Sequence, residues 1–157
     1  MKNFTSCFKE KKFLHFFYTR VRKNDTGKYE LEFPYVSLCG RERNYIRCDD
    51  VPCVFTNLLL DNNEDHLSIG HADKLLTQKF EPESIYMFDT GRIYHPAHTK
   101  YGGYGLMKSS LAIDLSNQFI YPNENHERPS HIMWQNKKFA LNENLKPLFE
   151  HLSVHNQ

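Results

Sequence analysis

After residue 27 the apolar pattern changes period, and that change limits the possible folds more than any other feature of the chain. Before it, Phe13, Phe16, Phe17 and Val21 recur at i, i+3, i+4 and i+8, which is one face of a helix. Lys9, Lys11, Lys12, Arg20, Arg22 and Lys23 take much of the remaining helix surface. A short turn around 3–8 is expected before this helix, and Asn24-Asp25-Thr26-Gly27 is expected to stop it. From Lys28 onward the period is two. Short alternating runs divided by turn residues build antiparallel hairpins, because alternate side chains bury one face of each strand.

The expected elements follow in order. Tyr29, Leu31 and Phe33 alternate with Glu30 and Glu32, a half-exposed strand that Pro34 places at an edge. Residues 35–38 continue extended and Cys39-Gly40 turns. Strands are expected over 45–48 and 53–60, with Asp49-Asp50-Val51-Pro52 as the bend between them. A polar turn at 61–65 returns the chain as a strand over 66–70, and 74–80 reads as another strand. Asp89-Thr90-Gly91 joins 86–88 to 92–94 as a hairpin. A loop over 95–103 leads to a strand at 104–108. Ser109 and Ser110 are placed to cap a helix carrying Leu111, Ala112, Leu115 and Phe119, with a strand through Leu111, Ile113 and Leu115 as the alternative. A loop over 121–130 precedes a last hairpin, 131–135 with 138–141, and 142–157 reads as a short helix interrupted at Pro147. The pattern is α+β: mostly antiparallel sheet built from hairpins, with two main helices packed on it, in one domain over 1–157.

Composition narrows the class. At 157 residues the chain can bury about 70% of its unfolded surface, enough for a core without staples. Hydrophobic residues are 39%, charged residues 25%, and mean hydropathy is -0.66, a globular profile. Net charge is +1, so the molecule has no strong overall field for nucleic acid or membrane. The charge is uneven, however. Residues 1–28 hold eight Lys/Arg against two acids, and 49–91 hold nine acids against two lysines. These blocks either face each other or are each solvated. No 18-residue apolar run exists for a membrane helix. Cys7, Cys39, Cys48 and Cys53 read as free thiols in a reducing compartment, with Cys39 to Cys48 or Cys53 as the alternative on paired strands.

The densest chemistry lies between Cys39 and Phe55, which holds Arg41, Arg43 and Arg47, three acids and three cysteines. The cysteine spacings of eight and four contain no close pair of the kind that holds structural zinc, so no metal and no cofactor are expected. Gly102-Gly103-Tyr104-Gly105-Leu106-Met107-Lys108-Ser109 has Met107 where a phosphate loop needs glycine, although amides beside Lys108 would still suit an anion. No G-x-S-x-G elbow occurs, and nine histidines make chance adjacency easy, so the reading leans away from an enzyme. On an extended strand Arg41, Arg43 and Arg47 share one face. They are expected either to pair with Glu42, Asp49, Asp50, Glu30 or Glu32, or to hold a carboxylate or phosphate.

Several stretches carry a resemblance: Met1-Lys2-Asn3-Phe4-Thr5-Ser6-Cys7-Phe8, then Cys39-Gly40-Arg41-Glu42-Arg43-Asn44-Tyr45-Ile46-Arg47-Cys48, Ile93-Tyr94-His95-Pro96, Gly102-Gly103, and Pro129-Ser130-His131 with Trp134. Together they closely resemble uncharacterised protein family 0598 over nearly the whole chain. The resemblance implies a mitochondrial location and brings no catalytic residue with it. Relatives carry an upstream extended segment and, in animals, a leader. The chain begins without either, so an N-terminal strand segment is expected to be missing, leaving a sheet edge open, and a cytoplasmic location becomes the alternative. A looser likeness, through Ile46-Arg47-Cys48-Asp49-Asp50-Val51-Pro52, the 104–119 unit and the Trp-containing hairpin, reaches a bacterial family of unknown function, number 1285. It implies a compact α+β fold and a ligand-sensing role.

The functional expectation is a non-catalytic binding or regulatory module for a small anionic ligand or a partner protein. Its candidate binding residues are Arg41, Arg43, Arg47, His95, Lys108 and His131. A second expectation is an RNA-associated mitochondrial factor, from the basic first helix and from Tyr18, Tyr29, Tyr35 and Tyr45 as stacking rings. A third is a hydrolase or transferase with His95 or His131 as base.

Overall fold

The computed structural model describes residues 9–60 and 63–154, with side chains as far as 150. The turn expected at 3–8, Cys7, and Asp61 and Asn62 of the polar turn lie outside the described residues. Helix α1 spans Lys11–Thr19 and is capped by Glu10, whose carboxylate accepts from the Lys12 and Phe13 amides at 3.2 and 2.9 Å. It ends well before Asn24, because Val21 is taken by strand β1, Val21–Lys23, where it pairs with Ser37. The buried stripe is therefore Leu14 with Phe17 and Tyr18 rather than the one centred on Phe16, which stays exposed under the Arg20 guanidinium.

The strand expected over 29–33 does not form. Residue Asn24, almost fully buried, captures the backbone there instead. Its Nδ2 donates to the carbonyls of Lys28 (2.9 Å) and Phe33 (2.8 Å), and its amide donates to Pro34 O at 2.8 Å. Backbone groups bonded to a side chain are lost to a ladder, so Leu31 ends 101% exposed at a loop tip.

Strands β2 (Tyr35–Cys39) and β3 (Glu42–Ile46) join through Gly40-Arg41, with Gly40 at φ +64 in the first central position, as a type II′ turn requires. Strand β3 begins three residues earlier than expected. The order β1-β2-β3 makes one antiparallel sheet. A second sheet holds β4 (Val54–Leu59), β5 (His66–Ile69), β6 (Thr77–Lys79), β7 (Tyr86–Met87), β8 (Ile93–Pro96) and β9 (Tyr104–Met107), in the order β6-β5-β4-β9-β8-β7. Only β4 and β9 run parallel there. A 3-10 turn, Asp73–Leu75, replaces the start of the strand expected at 74–80. A third sheet holds β10 (Phe119–Ile120), β11 (His131–Trp134) and β12 (Lys137–Ala140). The fold class is α+β, as the period change indicates.

Helix α2, Ser109–Ser116, forms where a helix was expected, but Lys108 takes the cap position and neither serine caps it. In helix α3, Lys146–Val154, Pro147 occupies the first turn, where no amide is needed, so it starts the helix rather than interrupting it. One core unites the three sheets: Val21, Phe55, Leu67, Ile93, Leu115 and Ile132 belong to it. Phe149 anchors α3 among the rings of Tyr86, Phe88, Tyr94 and Tyr104, with centroids 4.7–5.0 Å away.

The parallel pair is closely packed. A Cβ on Gly105 of β9 would stand 2.6 Å from the Phe55 ring and 2.8 Å from Cys53 Sγ. Gly105→Ala is therefore expected to lower unfolding stability by about 1–3 kcal/mol, the usual cost of overpacking. Urea denaturation measures it, and an unchanged midpoint would contradict this packing.

Candidate functional site

Two of the acids expected to neutralise the arginine cluster, Asp50 and Glu30, are occupied elsewhere. Asp50, with its side chain only 19% exposed, accepts from Tyr94 Oη at 2.5 Å and from Arg92 Nη1 at 2.9 Å. Burial, followed by the Asp50 carboxylate, pushes the Tyr94 phenol up. Asp50 thus ties the 49–52 bend to β8 and is not a partner for Arg41, Arg43 or Arg47. The Glu30 carboxylate accepts from the Gly27 amide at 2.7 Å. Arg41 in the turn, Arg43 in β3 and Arg47 just past it are all exposed. Among the described residues, none of the three forms an ion pair.

Register assigns the faces of this sheet. Residues directly opposite each other lie on one face. Val21 lies opposite Ser37, and Tyr35 opposite Ile46, on the face that joins the core. The Ser37 hydroxyl donates to Phe17 O at 2.7 Å, so α1 lies on this side too. The other face carries Arg22 opposite Val36, Val36 opposite Tyr45, and Leu38 opposite Arg43. The loop held by Asn24 places Tyr29 and Phe33 against Tyr45, at ring centroids 5.2 and 6.2 Å from it. This trio belongs to neither hydrophobic core, and Tyr29 is 61% exposed. Of the four tyrosines considered for stacking, Tyr18 packs over Gly70 and Tyr35 Oη donates to Tyr101 O at 3.3 Å; burial pushes both phenols up.

The remaining candidates do not join the arginines. Lys108 caps α2 and lines a separate cleft of about 490 Å³ with Thr90, Arg92 and Ser109. The adjoining glycine turn is closed by its own bonds, Gly103 N to His98 O and Gly102 N to Thr99 O. His95 lies on β8, not in a loop, and is fully buried between Phe80 (5.7 Å, stacked) and Phe55 (5.5 Å, edge-on). Its Nε2 accepts from the Glu81 amide at 3.0 Å, and its Nδ1–H donates to Pro96 O at 2.8 Å. Burial pushes this imidazole down to about 4. With both nitrogens engaged, it organises the core rather than serving as base or anion ligand. His131 on β11 has Nδ1 2.8 Å from Ser130 Oγ, but that hydroxyl also lies 3.3 Å from Ile120 O. Neither residue lines the clefts of about 390, 410, 490 and 500 Å³.

A cleft that no sequence motif marks lies beside the β11–β12 turn. It measures about 390 Å³ and sets Glu64, Asp65, Glu81 and Glu83 around Trp134 and Phe139. Asp65 accepts from Trp134 Nε1 at 2.9 Å and Gln135 Nε2 at 2.7 Å, so its carboxylate holds the β11–β12 turn in place. The acid-rich composition of 49–91 was its only sequence signal. The basic front and acidic middle meet through a Lys11–Asp73 ion pair. Cys39, Cys48 and Cys53 are free, and burial pushes the Cys53 thiol up to about 12. Among the described residues no cluster of His, Cys, Asp or Glu has metal-binding geometry. No helix among them is long and apolar enough to cross a membrane.

The buried His95 makes stability depend on pH. A neutral imidazole held at about 4 when folded, against 6.5 when free, leaves the unfolded chain binding more protons between these values. Its stabilisation is full above pH 6.5 and is lost as pH falls toward 4, by about 3 kcal/mol. Denaturant titrations across pH 4–7 are expected to show this loss, and His95→Gln is expected to flatten it. An equal slope in both proteins would remove His95 as the cause.

Among solved structures the chain is similar to a crystal structure of a DUF1285 family protein from Shewanella baltica OS155. The two share 14% identity and a TM-score of 0.43, over 70% of this chain and 79% of that one. Over residues 1–146 the sequence matches the family described as domain of unknown function (DUF4505), and the protein belongs to that family.

Proposed function

We propose that this protein is a non-catalytic binding module that holds an anionic partner on the hairpin formed by β2 and β3. The observation that carries the reading is the open charge of Arg41, Arg43 and Arg47, three exposed guanidinium groups with no acid partner among the described residues. Each supplies fork-shaped donors suited to carboxylate or phosphate oxygens. One of the acids expected to pair with them, Asp50, is bound to Arg92 and Tyr94. None of the clefts described has any of the three in its lining. An open surface of this kind favours an extended partner over an enclosed small ligand.

Long-chain inorganic polyphosphate tests the reading. It is expected to raise the melting temperature at low salt, with the rise shrinking as ionic strength increases. Combined Arg41→Ala, Arg43→Ala and Arg47→Ala should remove most of that rise while leaving the unliganded melting temperature nearly unchanged, since exposed substitutions cost little. A full rise in the triple variant would overturn the proposal. On the resemblance to family 0598 we also propose a mitochondrial location. Fractionation of cells producing the tagged full-length protein checks it, and recovery in the cytosol alone would refute it.

A further inference from the structure

Charge alone would serve any polyanion, but the arginine-bearing face carries more than charge. Tyr45 stands in β3 two residues from Arg43, and alternation puts both on the outer face. The loop organised by Asn24 brings Tyr29 edge-on to Tyr45, with an interplanar angle of 86°, and Phe33 beside it. Tyr29 is the exposed ring of the three, at 61%, while Phe33 and Tyr45 are half-buried beside the buried Val36. An exposed ring is costly to leave in water, and the loop that places Tyr29 and Phe33 is held by a buried, fully bonded asparagine. Arg22 stands on the same face, across Val36 from Tyr45.

We propose that this face binds single-stranded nucleic acid, with Tyr29 and Tyr45 as the base-stacking platform and Arg41, Arg43 and Arg47 on the phosphates. The inference rests on the anionic-partner reading and adds the class of partner. Unstacked bases meet aromatic faces, and the backbone follows a line of basic residues. A strand of an acidic protein would use the arginines and leave the rings unused. A duplex keeps its bases stacked and would do the same.

Fluorescence anisotropy with a labelled 12-nucleotide oligouridylate tests this on the full chain. Affinity is expected to fall with salt, with a log–log slope of about -2 for three phosphate contacts. Arg43→Ala should reduce the slope by about 0.7. Tyr29→Ala, at an exposed ring, should weaken binding roughly 5- to 100-fold without changing the slope, and Tyr29→Phe should restore most of it. Unlabelled duplex RNA and poly-glutamate are expected to compete poorly. If Tyr29→Ala binds like the parent protein, or if either competitor matches the single strand, the nucleic-acid assignment fails while the anionic-partner reading stands. If neither oligouridylate nor polyphosphate binds, both readings fall.

Discussion

The parallel contact between β4 and β9 is the constraint on which the rest of the structure depends. It joins one run of antiparallel strands, β6-β5-β4, to another, β9-β8-β7, and so creates the six-stranded sheet. The join includes Leu106 N to Cys53 O and Lys108 N to Phe55 O, at 3.0 and 2.9 Å. Phe55 and Cys53 lie across the backbone of Gly105 at a distance that excludes a Cβ. Burying Cys53 there keeps its thiol protonated and unreactive. The same approach puts Phe55 edge-on to His95, which stands opposite Gly105 in β8. A buried neutral histidine, a buried thiol and a bare glycine are thus three results of one close crossing.

The functional face follows from how charges are allotted around that core. Asp50 is drawn inward by Tyr94 and Arg92, where a half-buried carboxylate is stabilised by two donors. The arginines of the neighbouring hairpin then remain in solvent. Asn24 does the corresponding work for the rings, since bonding Lys28 O and Phe33 O closes the loop and turns Tyr29 and Phe33 toward Tyr45. Tyr18 and Tyr35, on the inner side, are held by the core instead. The inner side of this small sheet joins the core, and the outer side sets Arg43 and the exposed Tyr29 around a buried Val36.

Much of the fold was legible in local sequence. Asp89-Thr90-Gly91, the Trp134 hairpin and the 54–69 hairpin were readable because turn residues and alternation act over a few residues. The errors share a cause. Alternation at 29–33 lost to the Asn24 side chain, and the helical stripe ending at Val21 lost to pairing with Ser37. Both competitors act across the fold or across a loop, where periodicity carries no information. The candidate residues divided the same way. Parity along a strand puts Arg41, Arg43 and Arg47 on one face, but of the three Arg43 alone stands in β3, with Arg41 in the turn and Arg47 past the strand's end. His95 looked like an available base, because nothing local announces that Glu81 N and Pro96 O will take both its nitrogens.

By itself, then, the sequence determined the α+β class, most hairpins and the clustering of Arg41, Arg43 and Arg47 along one short stretch of chain, since each depends on neighbours along the chain. Tertiary structure alone decided that Asp50 answers Arg92 rather than those arginines. It also decided that β4 meets β9 in parallel, and that Tyr29 and Tyr45 share an outer face while Tyr18 and Tyr35 do not. Those outcomes turn on which partner reaches a group first across distant segments, and burial and hydrogen-bond satisfaction in the assembled core select that partner.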